Sequence, residues 1–159
     1  MNVEQAFIKC ADSKELVDII KRYVQAEDEE RKKINIVIPD SYDPFIKQDK
    51  KRKIAISSPH NGWVSIVEPK GVNDISMLYE VSNELNTEVV LMAQYDSVGA
   101  WGYAVFDSGE VIHEFLSEED EDIENEIQRI MDDKGIEEKL YLFSEVVRND
   151  SWEIMKCYI

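Results

Sequence analysis

The chain has 159 residues, 43% of them hydrophobic, enough for one domain with its own core and too apolar for disorder to explain its charge. Its 18 basic and 34 acidic residues leave a formal charge of −16, a field that repels phosphate backbones and argues against direct nucleic-acid binding. No apolar run reaches the ~20 residues of a bilayer span, and MNVEQAFIKC carries no basic leader before an apolar stretch, so the expectation is a cytoplasmic protein without a membrane role.

VEQAFIKCA reads as an initial extended piece. Asp12-Ser13-Lys14-Glu15 is close to a capping box, and Leu16, Val17, Ile19, Ile20, Tyr23 and Val24 recur at helical spacing, which predicts a helix over roughly 13–26. The run EDEERKK either prolongs it or becomes a loop. INIVIP (34–39) is short and β-branched and predicts a strand; Pro39 and Pro44 bracket a loop around SYDPF. KIAISS (53–58) and WVSIVE (63–68) flank Pro59-His60-Asn61-Gly62. Asn and Gly both tolerate positive φ, so this is a hairpin.

In VNDISMLYEVSNELN the stripe Ile75, Leu78, Val81 and Leu85, capped by Asn73 or Asp74, gives a second helix. EVVLMAQY (88–95) is almost continuously apolar, as a central strand buried on both faces would be. WGYAVF and EVIHEFL follow as further strands. Ser117 opens a helix with the acidic start EEDEDIENE and a stripe of Ile123, Ile127, Ile130 and Met131, ending near Gly135. IEEKLYLFSEVV reads as a short helix through Ile136, Leu140, Phe143 and Val147, and WEIMKCYI as a last strand beside the first. The prediction is a single α+β domain over residues 1–159. It has a mixed, mainly antiparallel sheet of about six or seven strands, helices on one side, and a helical C-terminal third. Cys10 and Cys157 form no disulfide framework and are read as free thiols; whether they meet stays open.

Candidate chemistry is thin. YDSVGAWGYAVFDSG (95–109), followed by EVIH, puts Asp96, Ser97, Ser108 and His113 near one another, the raw material of a hydrolase. Neither serine lies in G-x-S-x-G, however, and Asp107-Ser108-Gly109 suits a tight turn. His113 alternates with Val111 and Phe115 and reads as a packed or rim residue of a sheet. Two histidines and two cysteines far apart give no metal-ligand spacing, and glycine-rich phosphate loops are missing. No catalytic residue, metal or cofactor is expected. The basic cluster KQDKKRK (47–53) is read as a solvated approach to a strand, its lysines discouraging edge pairing, or as an answer to acidic groups elsewhere in the fold.

Binding features are clearer. Residues 1–60 hold 12 basic and 11 acidic residues, a balance of +1; residues 61–159 hold 6 and 23, a balance of −17. Such a field steers a cationic partner, although it also serves solubility alone. The candidate contact residues are Glu118, Glu119, Asp120, Glu121, Asp122 and Glu124, together with Asp96 and Trp101. Tyr95, Tyr103 and Trp63 accompany them; half or more of these aromatics are expected in the core, and Trp101, after Gly99-Ala100, at a rim.

The succession LYEVSNELN, VVLMAQYDS, WGYAVFD, a glycine and EVIHEF, within roughly residues 53–116, resembles small acidic bacterial α+β proteins that include immunity proteins of polymorphic toxin systems. The resemblance implies a non-catalytic protein that neutralises a cognate toxin by occluding its site. It carries over no fixed functional residues and does not extend to 118–148. The leading expectation is therefore an inhibitor of a basic, nuclease-like protein. A DNA mimic that occupies the site of a nucleic-acid enzyme is the alternative, and a hydrolase using Asp96, Ser97 and His113 comes last.

Overall fold

Alternation in the first strand, β1 (Asn2–Lys9), decides the architecture. Ala6 and Ile8 enter one apolar cluster, Phe7 enters another, and all three are fully buried. A strand buried on both sides is central, and both faces of its sheet must be covered. The computed structural model describes residues 2–35, 51–72, 74–117, 123–148 and 152–158. After β1 come α1 (Ser13–Asn35), β2 (Lys51–Ser57), β3 (Trp63–Val67), α2 (Ile75–Leu85), β4 (Glu88–Tyr95), β5 (Ala100–Asp107) and β6 (Glu110–Ser117). The chain ends with α3 (Ile123–Lys134), α4 (Phe143–Val146) and β7 (Trp152–Tyr158).

The strands form one sheet in the order β6-β5-β4-β1-β3-β2-β7, and every neighbouring pair is antiparallel. The fold is α+β, but three details of the expectation change. The sheet is antiparallel among the described residues rather than mixed. Helices cover both faces: Leu16, Ile20, Leu78 and Val81 of α1 and α2 pack on one, and Ile127 and Met131 of α3 on the other. The last third is not chiefly helical, because α3 is followed by an extended crossing, a four-residue α4 and a strand.

The predicted first helix runs on to Asn35, so residues 34 and 35 of INIVIP are helical rather than strand. Its remaining residues and the SYDPF loop lie outside the described residues. The hairpin forms as expected. Asn61 and Gly62 have φ of 51° and 81°, and His60 and Trp63 exchange backbone hydrogen bonds at 2.8 and 3.0 Å. The β2 side carries one extra residue, since Ile56 faces Ile66 whereas His60 faces Trp63; Ser57 Oγ accepts the Ser65 N–H at 2.8 Å within this irregularity. Asp74 caps α2 by accepting the Met77 N–H.

β7 pairs with β2, not with β1. β1 has no free side, being held between β3 and β4. Cys10 takes its N–H to Gly62 at the hairpin end, whereas the register sets Cys157 opposite Arg52 at the other end of the sheet. The two cysteines are far apart.

With β3 and β7 on its flanks, β2 is an interior strand, so its basic residues guard no edge. Arg52 answers acids instead. Its Nε and Nη2 grip Glu68 at 2.7 and 3.1 Å, and Nη1 donates to Asp74 at 3.0 Å. Tyr23 OH donates to the other oxygen of Asp74. Burial by itself lowers the Arg52 pKa, but the hydrogen bonds and charges of Glu68 and Asp74 outweigh it and hold the guanidinium above its ordinary range.

Ser117 does not open a helix; it ends β6 opposite Trp101. α3 closes with the paired bonds of a Schellman turn, Gly135 N–H to Asp132 O and Ile136 N–H to Met131 O. The hairpin tip seals this end. Trp63 Nε1 donates to Lys134 O at 3.1 Å and Asn61 Nδ2 to Gly135 O at 2.7 Å. Beyond it, the predicted helix over 136–147 shrinks to Phe143–Val146. Gln5, fully buried, holds the crossing segment from below: its Nε2 donates to Lys139 O and its Oε1 accepts the Tyr141 N–H.

A candidate partner-binding surface at the β6 edge

The predicted contact residues do not gather into one site. Asp96 is exposed in the β4–β5 turn, where Val98 N–H and Gly99 N–H bond back to Tyr95 O and Asp96 O. Its Oδ1 accepts from Gln94 Nε2 at 3.0 Å. Trp101 is not at a rim. It is 2% exposed in the cluster with Phe7, Met92, Ile127 and Met131, because Trp101, Val105 and the half-buried Tyr103 share the face of β5 that α3 covers. Residues 118–122, and the side chain of Glu124 at the start of α3, lie outside the described residues.

Trp63 and Trp101 are buried and Tyr95 and Tyr103 half-buried, so half of the four lie in the core, and the one expected at a rim is among them. Tyr95 OH donates to Glu4, and burial followed by this bond pushes its pKa up to about 12. Tyr103 lies between two rings, Trp101 at 6.1 Å and His113 at 5.1 Å. His113 is exposed rather than packed.

Ser97 and His113 are not brought together. Ser97 sits in the turn before Ala100, its Oγ donating to Asn2, while His113 lies opposite Val105, five residues along β5. Ser108 and Gly109 form the two-residue turn between β5 and β6, with φ of 52° and 81°. Among the described residues, no three His, Cys, Asp or Glu side chains are grouped as metal ligands.

What the fold does present is the edge strand β6 and the sheet surface beside it. Glu110, Val111, Ile112, His113 and Glu114 are all exposed, Val111 at 51% and Ile112 at 57%. On the α1–α2 side, a shallow groove of about 360 Å³ runs over Leu91, Ala93, Gly102 and Ala104, with Tyr95 and Glu114 at its margins. Among the described residues, no helical residue lines it. Glu114 of β6 therefore borders a small apolar floor, with Asp96 exposed in the turn after Tyr95 and Glu110, opposite Asp107, on the other face of the same edge strand.

The sequence pattern missed this surface. The one available signal was the adjacent pair Val111-Ile112, which breaks strand alternation. It corresponds to the register shift opposite Val105–Phe106, where Ile112 is the extra residue. No family model, curated protein or solved structure matches the chain.

Proposed function

We propose that this protein is a non-enzymatic acidic binding protein that sequesters a basic protein partner, as an immunity protein sequesters a nuclease-like toxin. The reading rests on the open groove of β4–β6, lined by Glu114, with Asp96 in the turn beyond Tyr95 and Glu110 exposed on the opposite face of the same edge strand, in the part of the chain that carries −17. Small apolar residues supply a contact floor, and the carboxylates along this edge select a cationic surface and speed its arrival. The DNA-mimic alternative needs acids in a line with phosphate-like spacing. The exposed acids Asp18, Glu80, Glu110, Asp132 and Asp133 instead divide among α1, α2, β6 and α3, which gives that alternative no support.

The test is affinity capture from the native host, followed by binding of the purified captured protein at rising salt. The expected result is a basic partner whose affinity falls with ionic strength and falls again when Glu110 and Glu114 are both changed to Lys. The reading is lost if no basic protein is retained at low salt, or if the charge reversals leave binding unchanged.

A further inference from the structure

We propose that β6 is the docking edge, and that the partner adds a basic, strand-forming segment to it as an eighth strand of the sheet. The inference rests on the basic-partner reading and specifies how that partner is held. β6 ends the strand order on one side, and among the described residues nothing pairs with its outer margin. An edge strand exposes a row of backbone donors and acceptors, which is a template for another strand. Beyond the extra residue Ile112, residues 113–117 pair with Val105 through Trp101 in unbroken register. That length of backbone is regular and ready to accept a partner on its other side.

Charge decides the occupant. A second copy of β6 brings another Glu110 and Glu114 to a margin that already carries the same two acids, and like charges brought together across a strand pair destabilise it. A basic strand meets the same two carboxylates favourably. The two sides of an added strand also differ. One lies toward Glu114 and the groove, the other toward His113 stacked on Tyr103. An occupant with lysine or arginine alternating with small apolar residues fits both.

The probe is a short peptide of alternating Lys and Val, compared with the same peptide N-methylated at alternate residues and with an alternating Glu-Val peptide. Binding is read by titration and by backbone amide NMR of the protein. The expected footprint is residues 113–117, with slowed amide exchange there. N-methylation removes two or more backbone hydrogen bonds and should weaken binding about tenfold or more; Glu114→Lys should weaken it about threefold. No binding of the Lys-Val peptide overturns the proposal, as do a footprint on β7 or the helices, equal binding of the N-methylated peptide, or equal binding of the Glu-Val peptide. Those outcomes leave the basic-partner reading standing, because that reading falls only with the capture experiment.

Discussion

Oε1 of Gln5 accepts the backbone N–H of Tyr141 at 2.7 Å, across 136 residues of sequence. With Nε2 donating to Lys139 O, a single buried amide takes the place of a neighbouring strand for the crossing segment. Gln5→Leu strips partners from both backbone groups, and each unsatisfied group costs about 1–3 kcal/mol. The expected loss is about 2–4 kcal/mol in chemical denaturation, with amide exchange at Tyr141 accelerated beyond the global change.

That contact also shows why part of the fold was hidden in the sequence. Ile136, Leu140, Phe143 and Val147 fit a helical stripe, and nothing local contradicts it; the decision belongs to Gln5, far away in the chain. Trp101 was misplaced for a similar reason, since which face of β5 lies under α3 is a property of the assembled sheet. The Asn61-Gly62 and Ser108-Gly109 turns and the Asp74 cap were legible because their chemistry is complete within a few residues. The apolar run of β4 was legible because a strand buried on both faces needs no partner to be named. Of the candidate site, only the negative charge and the exposure of Asp96 could be read; the β6 edge emerges from strand order.

Arg52 should be the most damaging single position in the polar network. Arg52→Met leaves Glu68 and Asp74 facing each other without a cation, and breaking such a buried pair costs about 3–5 kcal/mol. Adding Glu68→Leu to Arg52→Met should recover much of the loss, and a double-mutant cycle in denaturant measures this coupling.

Two glycines with the same φ of 81° should respond differently to alanine. At Gly62 an added Cβ meets nothing within 4 Å, whereas at Gly109 it lands 2.7 Å from Asn83 Oδ1 and 2.9 Å from Asn83 Cβ. Gly62→Ala should cost about 1–2 kcal/mol from backbone conformation alone. Gly109→Ala should cost about 1–3 kcal/mol more through crowding against α2. Thermal unfolding of the two variants side by side is the check.

Tyr95 gives the protein an alkaline limit. Its hydroxyl titrates near 12 in the fold against an ordinary 10.0, through burial and then the hydrogen bond to Glu4. A folded pKa above the unfolded one contributes stability that is complete below pH 10 and is lost as pH rises through about 12. Phenolate absorbance should show a late-titrating component that shrinks in Tyr95→Phe and moves earlier in Glu4→Gln, with Tyr141, raised by burial and Glu138, remaining in it. The alkaline loss of stability should be smaller in Tyr95→Phe.

The place of β1 between β3 and β4 has a kinetic consequence. β2–β3 is a local hairpin and β4–β5–β6 a local meander, each able to form from neighbouring chain; β1 is the seam that joins them. Local pieces assemble quickly, while joining them requires long-range closure, so docking of β1 should set the folding rate. Amides of β1 should then exchange only through global unfolding, while those of β6 and β7 open locally. The molecule should then combine a slow-opening centre with faster-opening margins, the two ends of its strand order.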